Sequence, residues 1–405
     1  MMDIFEARRL DKEYGSPLYI FDEASFINNY QDFVATMKTK YPQYRLSYSF
    51  KTNYTPYICS LVKELGGYAE VVSDMEYEIA LRIGYDPKKV VFNGPDKGIA
   101  GVEALFNGSL VNADHLEEVK TYCAVAQENI QKEFSLGLRV NLDIGQSFIS
   151  RFGMSVEDVK EACRLVRATD NIKISGLHCH ISRCRGREAW KKRTVIMLSL
   201  ADDLFNGDLD YIDLGSGMFG KMAPEFQKQF SNIPTYEEYA DVTASVFENH
   251  YKDVPENKRP ILFTEPGTTI VNKYISCIGK VKAIKQIKEK TFAVLNCSEH
   301  NLGETCLLKR LPIEIIHNNN QHNHYINVDF VGYTCLEQDV MYSGYSGNLA
   351  IDDYVLFDNV GGYSNVYKPP FIKPNCSMVV RKENGQYHII KRTETFDDLL
   401  KTYVF

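Results

Sequence analysis

The sequence predicts an α/β fold, a (β/α)8 barrel followed by a second domain built as an antiparallel β-sandwich or β-barrel. Two observations predict the barrel: eight short apolar, β-rich runs occupy the first two thirds of the chain, and segments with helical spacing separate them. Strands that alternate with helices pair in parallel, and eight of them close a barrel. A third observation predicts the second domain, because after about Thr269 the runs become short, with apolar and polar residues alternating.

The eight barrel strands are predicted at residues 45–51, 67–73, 90–93, 109–112, 137–141, 172–179, 211–214 and 261–264. Helical spacing between them is clearest at residues 57–65, 73–83, 156–168 and 190–204. In such a barrel the chemistry gathers at the C-terminal ends of the strands. Lys51 ends the first strand and Glu265 follows the eighth, and closure of the barrel makes these two strands neighbours.

The strands of the second domain are predicted at residues 275–284, 291–294, 313–316, 324–330, 353–357, 377–381 and 387–391. Residues 17–21 predict one more strand, which could pair with this domain, and residues 396–400 predict a short helix. We therefore expect a barrel domain at residues 23–268 and a β domain formed by residues 1–22 with 269–405.

Composition excludes several classes of protein. A net charge of −7 argues against a nucleic-acid surface, which needs a basic stripe. No apolar run approaches the roughly 18 residues of a membrane helix, and the N-terminus lacks the apolar core of a secretory signal. The ten cysteines are scattered without a Cys-x-x-Cys pair. That pattern is typical of reduced thiols in a cytoplasmic protein.

Two residues at predicted strand ends suggest carbonyl chemistry. A lysine amine held in a pocket, as Lys51 would be, can lose its proton and form a Schiff base with a carbonyl; the alternative is a solvated turn residue. The carboxylate of Glu265 could point into the barrel and pair with a pyridinium nitrogen. The alternative for Glu265 is a surface side chain in a capped turn.

Gly215-Ser216-Gly217 follows the seventh predicted strand. Small residues there let backbone N–H groups approach an anion closely, which suits a phosphate, although Gly-Ser-Gly is also an ordinary tight turn. No G-x-G-x-x-G fingerprint of a dinucleotide site opens a strand–turn–helix unit in this chain.

His178-Cys179-His180 ends the sixth predicted strand, and strand alternation directs both histidines to the same side. They could bind a metal, stack on an aromatic cofactor, or be structural. A later cluster, His317, His322 and His324, lies among asparagines. There we expect a polar hairpin loop rather than a metal site.

The β domain carries two further candidates. Cys335 follows Gly332-Tyr333-Thr334, a segment that predicts a loop, so its thiol is either reactive or buried filler. Tyr363 follows two glycines and could bond a phosphate or simply pack.

Taken in order, these motifs resemble the fold-type III pyridoxal-phosphate decarboxylases that act on diaminopimelate, ornithine or carboxynorspermidine, and most closely the diaminopimelate type. The resemblance covers nearly the whole chain. It implies an alanine-racemase-like barrel followed by a β domain, the cofactor pyridoxal 5'-phosphate, a small amino-acid substrate, and a homodimer with two shared active sites.

The resemblance also implies roles for the cofactor-binding residues. Lys51 matches the Schiff-base lysine, His180 the histidine that stacks on the cofactor ring, and Glu265 the partner of the pyridine nitrogen. Gly215-Ser216-Gly217 matches the phosphate loop, and Tyr363 the tyrosine near the phosphate.

Other matches concern a second subunit. Cys335 matches the thiol that the partner subunit contributes to reprotonate the carbanion. Arg151-Phe152-Gly153 resembles the family's Lys-Phe-Gly, whose cation pairs across the dimer with the aspartate matched by Asp339. We therefore predict an ion pair between Arg151 and Asp339 of two subunits.

Three departures from the family pattern suggest an altered substrate. Thr268 replaces the arginine of Glu-Pro-Gly-Arg, and Arg183 stands where a phosphate-binding serine is expected. Our hypothesis is that Arg183 compensates by pairing with the phosphate. Leu336 replaces the acid that binds the distal ammonium of the substrate. Glu337 could supply that acid instead.

The function predicted is decarboxylation of a diamino acid or a diamine-derived amino acid. Racemisation on the same cofactor is one alternative, and a catalytically silent relative with a binding or regulatory role is the other. The joint presence of Lys51, Glu265 and Cys335 favours an active enzyme, and the Cys335 loop suits decarboxylation better than racemisation.

Overall fold

A computed structural model describes residues 2–318, 322–367 and 370–404 of the chain. The chain divides into two compact units. The barrel unit consists of Tyr30–Phe219 with Asn232–Thr269, and the sheet unit consists of Met1–Asn29, Gly220–Ser231 and Ile270–Phe405.

The barrel unit contains a closed barrel of eight parallel strands that are neighbours in chain order. Pairing of Tyr44 with Leu262 joins the last strand to the first. Numbered along the chain after β1 (Leu18–Asp22), which belongs to the sheet unit, the barrel strands are β2 (Tyr44–Ser49), β3 (Tyr68–Val71), β4 (Val90–Phe92), β5 (Leu110–Ala113), β6 (Phe134–Arg139), β7 (Ile172–His178), β8 (Tyr211–Asp213) and β9 (Ile261–Thr264). The predicted parallel barrel is confirmed.

Helices separate the strands where the apolar spacing predicts them, and the four predicted helices agree within three residues at each end. Serine N-caps begin two of them, because the Ser73 hydroxyl accepts the Glu76 N–H and that of Ser155 accepts the Asp158 N–H. The described helices are α1 (Ile4–Tyr14), α2 (Glu23–Lys40), α3 (Pro56–Glu64), α4 (Asp74–Ile83), α5 (Gly98–Asn107), α6 (Leu116–Glu128), α7 (Val156–Arg167), α8 (Arg187–Phe205), α9 (Pro224–Gln227), α10 (Tyr236–Val242), α11 (Ala244–His250), α12 (Thr268–Val271), α13 (Glu299–Leu302), α14 (Glu304–Leu308) and α15 (Phe396–Leu400).

Several predicted strand bounds differ from the structure by two or three residues, among them the end of β2 and the start of β6. Strand β2 ends at Ser49, and Lys51 lies in the 3-10 turn Phe50–Thr52 that follows it. Strand β6 begins at Phe134, because Gly137 is an interior position rather than a start. A Cβ atom on Gly137 would lie about 2 Å from polar atoms of Asn112 and Tyr211, so only glycine leaves room for these side chains.

The sheet unit contains the remaining strands, mostly in antiparallel pairs. They are β10 (Ile275–Ile287), β11 (Lys290–Leu295), β12 (Ile313–Ile316), β13 (Asn323–Val331), β14 (Val340–Leu349), β15 (Tyr354–Phe357), β16 (Ser377–Arg381) and β17 (Tyr387–Lys391). The predicted N-terminal strand is confirmed as β1, which lies between β10 and β16. Two pairs, β1 with β16 and β11 with β13, are parallel, a departure from a purely antiparallel domain.

Sequence analysis missed β14 and α1. Strand β14 carries two glycines and two serines, and most of its side chains are at least partly exposed, so it lacks an apolar alternation. The predicted hairpin around His317 was also wrong, because β12 pairs with β15, whereas β13 pairs with β11 and β14. Across the described residues no helix combines the length and apolar character needed to cross a bilayer.

Candidate active site

Lys51 makes an ion pair inside the mouth of the barrel. Its amine donates to Oε2 of Glu70 at 2.5 Å, and the Ser49 hydroxyl donates to the same oxygen at 2.6 Å. Glu70 lies on β3 and its side chain is 1% exposed. A lysine amine is thus held at the C-terminal end of the first barrel strand, as predicted, by an acid that sequence analysis missed.

Glu265 is buried directly after β9, and three polar side chains lie near its carboxylate. Nε2 of His178 lies 3.3 Å from Oε1, and Nδ1 of His180 lies 3.8 Å from Oε2. The Asn93 side-chain amide donates to Oε1 at 2.5 Å. Both histidines therefore approach the same carboxylate, and the surface-turn alternative for Glu265 is wrong.

Burial sets the charges of the two rings. It lowers the pKa of His178, and it lowers the pKa of His180 well below its usual value, with the Lys51 charge acting in the same direction. Both imidazoles are therefore neutral near pH 7. A neutral ring is what the stacking alternative for His180 requires.

Asp213, at the end of β8, shares this environment with Glu265. Burial, together with the Glu265 charge, raises the pKa of Asp213 well above its usual value. Burial also opposes ionisation of Glu265, but the adjacent His178 ring and the charge of Lys51 outweigh it and hold the pKa of Glu265 below the usual range. The two carboxyls titrate as a pair, in which Glu265 is the more acidic group and Asp213 keeps its proton more readily.

The glycine loop after β8 is shaped for a close approach. Gly215 and Gly217 have φ angles of +62° and +109°, and a Cβ on Gly215 would lie 2.4 Å from the Cys179 carbonyl oxygen. Only glycine fits that position. The Ser216 N–H donates to Nδ1 of His180 at 3.2 Å, so the loop also fixes the tautomer of this ring.

Arg193, on α8, holds this loop from behind and was missed from the sequence. Its guanidinium is fully buried and donates to the carbonyl oxygens of Leu214, Ser216 and Ile181 at 2.9–3.0 Å. Because its role depends on carbonyl groups brought together by the fold, no local signal marks it.

A cavity of about 320 Å³ brings the predicted residues together within the barrel unit. Four predicted residues line it: Lys51, Arg151, His180 and Glu265. Arg183 is exposed, with φ at +68°, and it is absent from the described lining, where its neighbour Ser182 is found.

Arg139 also lines the cavity and was not predicted. It ends β6 and pairs with Asp114 at 2.9 Å, while its Nε is buried without a hydrogen-bond partner among the described residues. A charged residue at the C-terminal end of a barrel strand was the available signal.

A polar chain crosses the barrel interior to Glu265. The Tyr211 hydroxyl donates to Asn112, and Asn112 donates to Asn93, which donates in turn to Glu265 and Glu70. These side chains look like ordinary strand polar residues in the sequence. Only closure of the barrel connects them.

In the sheet unit, Cys335 is exposed in the predicted loop, between half-buried Leu336 and the Gly332-Tyr333-Thr334 segment. Glu337 is exposed in the same loop, and Tyr363 is half-buried with φ at +54°. All ten cysteines are free thiols in this structure.

Asp339 is held within its own chain. Its carboxylate accepts the Glu299 N–H at 2.8 Å, the Thr334 N–H at 3.2 Å and the Thr334 hydroxyl at 2.6 Å. At 2% exposure, it would reach Arg151 of another subunit only if this loop opened. The intersubunit pair stays a prediction.

Residues 28–272 match the family model described as pyridoxal-dependent decarboxylase, pyridoxal binding domain. Residues 195–361 match the C-terminal sheet domain of the same decarboxylases. The first match alone covers more than half of the chain. The chain belongs to the pyridoxal-dependent decarboxylases. It is therefore a carboxy-lyase that uses pyridoxal phosphate.

Other pyridoxal-dependent decarboxylases resemble the chain over its full length. Diaminopimelate decarboxylase from Aquifex aeolicus is 24% identical, over 97% of this chain and 93% of that one. The crystal structure of the Methanocaldococcus jannaschii diaminopimelate decarboxylase superposes with a TM-score of 0.84 at 22% identity, over 98% and 94%. That of Helicobacter pylori diaminopimelate decarboxylase complexed with L-lysine gives 0.82 at 19% identity, over 98% of both chains.

The residues present fit the cofactor of this family. The barrel mouth offers a lysine amine, a buried ionised carboxylate and a neutral imidazole around one cavity. The loop after β8 adds Gly215 and Gly217, whose positive φ angles suit a backbone that turns its N–H groups toward an anion such as a phosphate.

Proposed function

We propose that this pyridoxal-dependent decarboxylase acts on a diamino acid or a diamine-derived amino acid, with diaminopimelate as the first candidate. The full-length similarity to diaminopimelate decarboxylases supports this proposal. The L-lysine in the Helicobacter pylori complex supports it as well, because lysine is the amine that loss of one carboxylate from diaminopimelate leaves.

The observation that carries the proposal is the pair of Lys51 and Glu70 beside ionised Glu265. When bound, pyridoxal phosphate would supply an electron sink for the pair of electrons that remains as the carboxylate leaves as carbon dioxide. Lys51 would hold the cofactor covalently through its amine, and Glu265 would accept the N–H of the cofactor ring. Glu70 Oε2 is placed to take the proton that the Lys51 ammonium must lose before its nitrogen can attack.

The remaining roles follow the resemblance. Glycines 215 and 217 with Ser216 would bind the phosphate, Tyr363 would approach it, and Cys335 of a second subunit would return a proton to the product. Arg183 would need to turn toward the cavity in order to reach that phosphate. A cytoplasmic homodimer with domains at 23–268 and at 1–22 with 269–405 completes this proposal.

Substrate recognition is expected to depart from the family pattern at one end of the substrate. Leu336 cannot pair with an ammonium group, whereas the adjacent Glu337 is exposed and charged. We propose that Glu337 binds the distal ammonium of the substrate, and that Thr268 leaves more space near the cofactor than an arginine would.

Release of carbon dioxide from a panel of amino acids tests the function. We expect the holoenzyme to convert meso-diaminopimelate to lysine, or else one of L-lysine, L-ornithine, L-arginine and carboxynorspermidine to its amine, with mass analysis identifying the product. Lys51→Ala and Lys51→Arg should both lose at least about a thousandfold in rate, because neither supplies a nucleophilic amine. Exchange of the α-hydrogen without carbon dioxide release would instead indicate the racemase, and no reaction with any of them would contradict the proposal.

A further inference from the structure

Three side chains of the sheet unit meet at a point that the decarboxylase reaction does not use. His317 follows β12, His322 precedes β13, and Asp353 precedes β15. Pairing of β12 with β15 brings His317 beside Asp353, whereas His322 borders β13, which pairs with β11 and β14, so the predicted hairpin does not account for the meeting of all three. Their ligand atoms all lie within 4.8 Å of one another.

The distances suit a single small cation. Nδ1 of His317 is 3.0 Å from Oδ2 of Asp353, and Nε2 of His322 is 4.0 Å from Oδ1. Tetrahedral bonds of about 2.1 Å place neighbouring ligand atoms about 3.4 Å apart. The two measured separations lie on either side of that value.

The carboxylate is already oriented. Asp353 is fully buried, and it accepts the N–H groups of Asn318 and Ala350, both at 2.8 Å. Backbone donors of this kind fix a ligand before a metal arrives and limit its alternative rotamers.

Of the three residues, His322 is the one with a ring nitrogen that lacks a hydrogen-bond partner among the described residues. Its Nε2 is buried without a hydrogen-bond partner in the described part of the chain, and its side chain is only 15% exposed. Its ring lies 4.1 Å, centroid to centroid, from that of His317. A buried nitrogen without a partner is costly, and a cation is one partner that both rings and the carboxylate can share.

We propose that His317, His322 and Asp353 bind one divalent transition-metal ion of the zinc type, with a fourth position left to water. Two imidazoles and one carboxylate suit zinc better than magnesium or calcium, which prefer oxygen ligands throughout. Such an ion would tie the segment before β13 to the buried turn before β15. The proposal does not depend on the identity of the substrate.

Zinc binding by the holoenzyme tests the site, with zinc chloride alone as the probe. After chelation and dialysis, equilibrium dialysis followed by elemental analysis gives the number of ions bound per chain. Retaining pyridoxal phosphate keeps the buried group His178, Asp213 and Glu265 of the barrel from offering a second site. Zinc on exposed thiols is common to all variants and cancels in the differences between them.

The decisive variant is His322→Ala, because Nε2 of His322 makes no hydrogen bond to the described residues that its loss would break. The double variant His317→Ala/His322→Ala removes both rings, and His324→Ala is the matched control, since that ring bonds Asn348 instead. We expect wild type and His324→Ala to bind one ion more than the double variant, and His322→Ala to bind it at least about tenfold more weakly. Zinc should raise the melting temperature of the first two proteins only.

Equal zinc stoichiometry and affinity in His322→Ala and His324→Ala would overturn the proposal. Carbon dioxide release should be unchanged in His322→Ala. A loss of zinc with activity retained therefore separates this site from the catalytic one.

Discussion

The barrel unit and the sheet unit both bury charged side chains, but they satisfy them in different ways. In the sheet unit, Asp339 and Asp353 each accept two backbone N–H groups, so these carboxylates stabilise loops. In the barrel unit, Arg139 Nε and Asp213 Oδ2 are buried without a hydrogen-bond partner in the described chain. Buried polar groups are normally paired, so atoms left over at strand ends indicate where a ligand completes the set.

Burial alone therefore does not distinguish a carboxylate that only stabilises the fold (architectural) from one that takes part in the reaction (chemical). The number of donors that the chain itself supplies does. By this measure Asp213 belongs to the chemistry of the barrel, Asp339 belongs to the architecture of its loop, and the His322 nitrogen is an exception within the sheet unit.

The largest effect should come from the charge of the barrel dyad. We expect Glu265→Gln to lower the rate of carbon dioxide release about a hundredfold to a thousandfold, because the amide keeps the shape but not the charge. Asp213→Asn should retain activity within about tenfold, since the amide is neutral like the protonated acid and its oxygen can still accept the Gly215 N–H. The measurement is kcat at saturating substrate with cofactor in excess.

Asp213→Ala is the control, because it also removes the oxygen that accepts the Gly215 N–H and should cost more than Asp213→Asn. If Glu265→Gln and Asp213→Asn lose activity equally, the charge is not localised on Glu265. The distinction between chemical and architectural acids would then fail in the barrel itself.

The sequence predicted what is local. Lys51, His180 and Glu265 stand beside apolar runs that end at the same edge of a parallel barrel, so their meeting follows from closure. Asn93 was missed, because its bond to Glu265 joins positions 172 residues apart and nothing near Asn93 marks it. Glu70 was missed for the same reason, since one acid at the end of a short strand resembles any edge residue.

In the sheet unit the prediction found every described strand except β14, but it did not find which strands pair. Periodicity locates a strand, yet the parallel pairing of β1 with β16 joins the two ends of the chain, and a pattern within one segment cannot specify it. The meeting of His317 with Asp353, across 36 positions, was hidden for this reason.

A smaller effect is expected from Glu76, a buried acid of the barrel unit. Burial raises the pKa of its carboxyl to about 7, and the neighbouring Glu70 charge adds to the rise. The folded state therefore binds more protons than the unfolded state between about pH 4.5 and 7. The stability due to Glu76 is fully present below that window and is lost as the pH rises through it.

We expect Glu76→Gln to flatten this part of the stability profile, by about 3 kcal/mol at most across the window. Urea unfolding at several pH values, compared with wild type, measures the difference, and groups that titrate in both proteins cancel. Parallel profiles for the two proteins would show that Glu76 is ionised in the folded state.

Asp339 gives the smallest expected effect and the sharpest test of the sheet unit. If its carboxylate only stabilises its own loop, Asp339→Ala should lower the free energy of unfolding by about 2 kcal/mol and leave the sedimentation coefficient unchanged. If it pairs instead with Arg151 of a second subunit, Asp339→Ala and Arg151→Ala should both shift sedimentation toward the monomer.

The variant Asp339→Asn separates the loop role from the subunit role, because an amide oxygen still accepts from the Thr334 hydroxyl but carries no charge for an arginine. If Asp339→Asn is as stable as wild type but sediments as a monomer, Asp339 lies at a subunit contact as well as accepting hydrogen bonds within its own loop.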